Sequence, residues 1–240
     1  MSELYQAVRI VHFLAGAVAL VLFWVPALTR KGGVVHRRAG RVYVWAMGVV
    51  VTTALPLSLA YFWRGDWFVG TFLGYLAVIT FAALWSGRQV LKYKRDPVLF
   101  RTPFHAALGV LNGVVALVVL MLAWTVAPPG FARTLFTIFP IIGFSAAWET
   151  WQFFREAPSD RRWWWYVHFG GMIGSGIAAH TAFGAFGMRQ LFPQLELGPW
   201  ALVPWVAPSV LGTLAVALLT RHYRRKFAAP PLAPSLSASR

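Results

Sequence analysis

The stretch AVRIVHFLAGAVALVLFWVPAL (7–28), TRKGGVVHRRAGR (29–41), VYVWAMGVVVTTALPLSLAYFW (42–63) decides the fold. Two long apolar runs flank a loop that holds five cations and two consecutive glycines. A bilayer core of about 30 Å needs about 20 apolar residues at 1.5 Å rise each, so each run is long enough to cross. The same pattern recurs outward at roughly 67–91, 103–126, 132–154, 163–187 and 200–220. Every break has chemistry of its own: RGD (64–66), KYKRDP (92–97), APPG (127–130), REAPSDRR (155–162) and FPQLELGP (192–199). The expectation is an all-α transmembrane bundle of seven helices.

With 58% hydrophobic and 12% charged residues, the chain lies far from soluble composition. Its net charge of +15 would point to nucleic acid only if the cations covered one folded face. They sit instead between apolar runs, so no nucleic-acid partner is expected. Lys and Arg favour cytoplasmic flanks, and 18 of the 22 fall beside alternate helix ends on one side. The other side holds Arg9, Arg64, Arg133 and Arg189, which predicts the N-terminus outside and the C-terminus inside. The first apolar run has no basic region before it and is too long for a signal peptide, so it reads as a permanent helix. Residues 1–227 form one transmembrane domain in this reading, and the Pro- and Ser-rich 228–240 a disordered cytoplasmic tail. Pro26, Pro56, Pro140, Pro204 and Pro208 predict kinks.

Ionisable side chains within a bilayer are costly and normally face a bundle interior. Here they are His12, His105, Glu149, His168 and His180. Counting residues from the basic ends puts His105, Glu149 and His168 at one depth and His12 with His180 at another. Two histidines per level is the pattern of two bis-histidine b-type haems passing electrons across a membrane, His105 with His168 inside and His12 with His180 outside. The 12 residues between His168 and His180 give about 18 Å of height but leave the two about 120° apart around the helix. A rival reading takes His105, Glu149 and His168 as ligands of one hydrolytic zinc. Ser145 and Gln152, at helical spacing from Glu149, predict a polar pocket facing the bundle. A third class is a cofactor-free membrane-complex subunit or lipid-binding scaffold. The absence of cysteine removes thiolate zinc, iron–sulfur and thioether-linked haem sites from all three readings.

Gly170 and Gly174 form a GxxxG pair suited to close helix packing or dimerisation, and a homodimer or a larger membrane complex is the expected assembly. In HRRAGR, Arg37, Arg38 and Arg41 read first as a topology anchor against anionic lipid headgroups; the secondary reading has the same guanidinium forks hold an anionic substrate or a phosphate.

HRRAGRVYVWAM (36–47) and VHFGGMIGSGIAAHTAF (167–183) together resemble an uncharacterised bacterial multi-pass membrane family with a domain of unknown function. Its members carry an HR..GR helix start and a Gly-rich AA.TAF-like late helix. The resemblance implies a bacterial inner-membrane protein and no particular activity. The sequence departs from the family in the fourth helix, RTPFHAALGVLNG (101–113), where a basic His-Arg stretch is expected.

Overall fold

The computed structural model describes residues 3–194 and 197–228, and all their regular structure is helical. Beyond Ala228, the tail expected over 228–240 lies outside the described residues. In order the helices are α1 (Glu3–Leu28), α2 (Val34–Trp63), α3 (Trp67–Gln89), α4 (Pro103–Thr125), α5 (Phe131–Ile138), α6 (Pro140–Arg155), α7 (Trp163–Ala182), α8 (Met188–Leu191) and α9 (Val203–Ala228). A π-helical turn, Phe183–Gly187, joins α7 to α8. Six spans are long and apolar enough to cross a membrane: Glu3–Leu28, Val34–Trp63, Trp67–Lys92, Pro103–Thr125, Phe131–Arg155 and Trp200–Phe227. The expected seventh, α7, is a 20-residue helix but is not one of these six. Its Trp, Tyr, His and Gly content dilutes its hydropathy.

The breaks fold as their residues dictate. Gly32, Gly65 and Gly130 adopt φ of +74°, +78° and +107° in the three turns after α1, α2 and α4, conformations closed to most side chains. Asp66 caps α3 by accepting from the Val69 N–H at 3.0 Å, and Thr102 caps α4 by accepting from the His105 N–H at 3.1 Å. Lys31 closes the end of α1, its ammonium donating to the Pro26 and Ala27 carbonyls. Partial burial draws that lysine's pKa below its ordinary value.

The third helix is the most enclosed span and α1 and α9 the least. On one side of α3 lie α4 and, beyond it, α6. On the other side α1, α2, α3 and α7 form a four-helix group, with α9 outside α7. Around this group α1 packs on α2, α2 on α3, α3 on α7 and α7 on α1, so α2 and α7 stand diagonally across the interior. Bare backbone allows the close approaches. A Cβ on Gly109 would meet Thr150 of α6 at 2.6 Å, and one on Gly143 would meet Ala116 of α4 at 2.8 Å.

Of the sequence-predicted kinks, the one at Pro140 has an identifiable device. It separates α5 from α6, and the Tyr75 hydroxyl of α3 enters the gap. That hydroxyl donates to the Phe139 carbonyl at 2.7 Å and accepts from the Gly143 N–H at 3.0 Å. Those two backbone groups would otherwise bond each other in a regular helix, so the hydroxyl is spliced into the ladder. It also ties the α5–α6 break to the central helix. Tyr75→Phe is expected to lower stability by about 1–3 kcal/mol, because a buried carbonyl and N–H lose their partner. A melting curve unchanged from wild type would mean that the ladder closes without the hydroxyl.

Candidate functional site

Five of the chain's six histidines are placed by a specific hydrogen bond from Nδ1. In α1, His12 Nδ1–H donates to Thr53 Oγ1 of α2 at 2.9 Å, and the threonine hydroxyl passes its own proton to the Val49 carbonyl at 2.6 Å. His12 lines a cavity of ≈ 40 Å³ with Met47, Ala54, Thr80 and Ala179. That volume suits water and not a macrocycle. On α7, His180 donates to the Gly176 carbonyl at 2.7 Å and accepts at Nε2 from the Trp24 indole N–H at 3.2 Å. Both of its nitrogens are therefore occupied. The structure gives His12 and His180 separate partners and does not bring them together.

The inner level is also divided. His105 is buried, its Nδ1–H 3.3 Å from the Phe100 carbonyl. Around it stand Phe100, Phe154, Trp85 and Phe153, with ring centres 4.5 to 5.7 Å from its own. It is an aromatic-core histidine between α4 and α6. On α6, Glu149 is exposed together with Ser145 and Gln152, so the polar pocket expected to face the bundle instead faces outward from it. The reason is α6's position: it leans on α4, with thin contact to α3 and α5, and only Pro140 and Gly143 on it are fully enclosed. Among the described residues no three of His, Cys, Asp and Glu form a group that could hold a metal ion. His105, Glu149 and His168 thus do not fit a zinc centre.

What His168 does meet is His36, the first residue of the HRRAGR run. Their ring centres are 6.4 Å apart and their planes at 66°. The two side chains reach toward each other across the diagonal of the four-helix group, from α2 and from α7. His168 Nδ1–H donates to the Gly87 carbonyl of α3 at 2.7 Å, and His36 Nδ1–H donates to the Pro26 carbonyl of α1 at 3.1 Å. All four helices therefore contribute to one site. Each ring is fixed as the Nδ1–H tautomer with a lone pair on Nε2, and neither Nε2 has a hydrogen-bond partner among the described residues. Backbone anchoring of the far nitrogen is the usual support of a metal-binding imidazole. Arg88 and Lys94 stand near enough for their charge to act on His168.

One tier above, the Tyr43 and Ser175 hydroxyls share a fully buried hydrogen bond of 2.8 Å. Tyr43 follows His36 by seven residues and Ser175 follows His168 by seven. Two helical turns separate the pairs on each side, so the two helices face each other in register. No protein-family profile, curated protein or solved structure matches the chain. Its geometry alone therefore defines the site.

Sequence reasoning finds His168 but pairs it with His105, and reads His36 only as the start of a lipid anchor. The signal that points to the pair the structure brings together is the matched seven-residue step from histidine to hydroxyl on two helices. Arg37, Arg38 and Arg41 beside His36 are exposed, as an anchor requires, and the Arg37 guanidinium turns back to the Gly32 carbonyl.

The glycine beside the expected GxxxG pair sets the site. A Cβ on Gly170 would meet nothing within 4 Å, and one on Gly174 only the Ala83 methyl at 3.5 Å. A Cβ on Gly171 would lie 2.5 Å from the Ala83 carbonyl oxygen and 2.8 Å from the Gly87 backbone. Gly171→Ala is expected to cost about 1–3 kcal/mol and to push α7 off α3, while Gly170→Ala stays near neutral. Equal melting temperatures for the two variants would contradict this placement.

Proposed function

We propose that the chain is a seven-span protein of a bacterial-type inner membrane, N-terminus outside and C-terminus inside, that carries electrons through one b-type haem held between His36 and His168. The observation that supports the haem is the pair itself. Two imidazoles whose Nδ1–H groups are both anchored to carbonyls would be free to hold one haem iron through their Nε2 atoms. The ring centres of His36 and His168 lie 6.4 Å apart. Ligands drawn from facing helices of a four-helix group are the arrangement in which bundles hold cofactors.

Haem iron bound there supplies reversible one-electron transfer. The chain's own residues perform the rest. The Gly87 and Pro26 carbonyls fix each imidazole's tautomer and orientation and raise the basicity of the free nitrogen. Arg88 and Lys94 add positive charge beside the site, which favours the acidic edge of a haem and the extra electron of the reduced state. Gly171 and Gly87, which admit the close α3–α7 approach, hold His168 at its height. The remaining histidines have other roles, since His180 is bonded to Trp24, His12 is bonded to Thr53, and His105 lies within aromatic rings.

Protein produced with adequate haem supply is expected to show a Soret band that shifts on reduction. His36→Ala and His168→Ala should each lower haem occupancy at least about tenfold, with His12→Ala, His105→Ala and His180→Ala retaining it. A well-folded preparation without a Soret band would defeat the haem reading and favour a cofactor-free complex subunit. The topology has its own test. A fluorescent reporter placed after Phe227 should light up in the cytoplasm, and periplasmic phosphatase activity from the same position would invert the orientation.

A further inference from the structure

The loop between α6 and α7 and the last turns of α9 enclose a second site at the basic end of the bundle. Asp160, Arg161, Arg162, Tyr166, Arg224 and Phe227 line an open cavity of ≈ 660 Å³ there. Two of its three guanidinium groups are held by aromatic faces. Arg162 lies 3.8 Å from the centre of the Phe227 ring and Arg224 lies 5.7 Å from that of Tyr166. Stacking of this kind fixes a guanidinium while leaving its N–H donors free at the edge. No carboxylate pairs with any of the three through its side chain among the described residues. Asp160 is the lone acid in the lining, and its Oδ1 accepts from the Arg162 backbone N–H at 2.7 Å. The cavity therefore carries a net charge of about +2, with its donors turned to no internal acceptor.

A wall of aromatic rings leads away from these cations between α7 and α9. Trp165 packs on Tyr223 and Phe227, and Phe169 packs on Tyr223, at ring-centre distances of 5.4, 6.3 and 6.2 Å. The Trp165 indole N–H is buried and has no hydrogen-bond partner among the described residues. Planar forks of Arg match phosphate oxygens, and an apolar seam beside them matches glycerol and acyl chain.

We infer that Arg161, Arg162 and Arg224 form a phosphate-binding site, distinct from the Arg37, Arg38 and Arg41 cluster, that takes the headgroup of an anionic phospholipid. The chemistry shared with a soluble phosphate is the oxyanion. The seam of Trp165, Phe169 and Tyr223 is what favours the lipid.

The test is native mass spectrometry of the intact, delipidated protein titrated with phosphatidylglycerol, phosphatidylcholine or inorganic phosphate. One phosphatidylglycerol is expected to bind preferentially over phosphatidylcholine, and the double variant R162Q/R224Q should weaken it roughly thirty-fold. R162K/R224K, which keeps the charge, should retain most of the binding. R37Q/R38Q/R41Q should leave this lipid in place, which separates the two clusters. Saturation by inorganic phosphate, lost in R162Q/R224Q, would support the oxyanion site with a soluble ligand as its source. Equal phosphatidylglycerol and phosphate binding in wild type and R162Q/R224Q, with both folded by thermal melt, would overturn the site.

Discussion

At Gly171 the backbone of α7 runs so close to α3 that no side chain fits between them, and the first consequence is chemical. Gly87 on α3 faces this contact, and its carbonyl is the one that takes the His168 Nδ1–H. The helix approach thus sets both the position and the tautomer of the histidine. Packing between apolar helices gains no hydrophobic advantage within lipid, so small residues that admit backbone contact decide which helices touch. On the far side of α3, Gly109 and Gly143 do the same for α4 and α6. Tyr75, spliced into the α5–α6 break, is the polar counterpart of these bare contacts. A central helix approached closely on both sides leaves the remaining spans little freedom.

The four helices α1, α2, α3 and α7 hold four of the six histidines, and nearly every polar side chain in their interior has a defined partner. His12 is satisfied by Thr53, His180 by Trp24 and the Gly176 carbonyl, and Tyr43 by Ser175. The His36 and His168 pair differs because its anchored nitrogens point to carbonyls and its other nitrogens point to nothing. The two rings are half-buried, with centres 6.4 Å apart, and this is the pairing on which the proposed function rests.

Much of this is legible in the residues. Apolar run length, turn glycines, prolines and the distribution of Lys and Arg yield the helix order and breaks, because each depends on local chemistry alone. Counting from the basic ends also sets an expected depth, at which His168 and His105 share one level. Azimuth is not legible in this way, since the rotation of a helix about its axis is set by which neighbour it meets. Depth alone therefore matches His168 to His105, which lies across α3 among aromatic rings, and turns Glu149 inward where α6 turns it out. The weaker hydropathy of α7 has the same origin, because its Gly- and His-rich composition serves contact with α1, α3 and α9 and the site.

The central proposal is that His36 and His168 would together hold one haem iron. Met172, one turn beyond His168 and close against Gly87, is the competing soft ligand in this part of the fold. Electron paramagnetic resonance combined with near-infrared magnetic circular dichroism of the oxidised, membrane-extracted protein identifies axial ligands directly. An iron held by the two histidines gives a low-spin ferric signal with bis-imidazole ligation, lost when His36 is replaced. A histidine–methionine signal, or a folded protein with no haem iron, would contradict it.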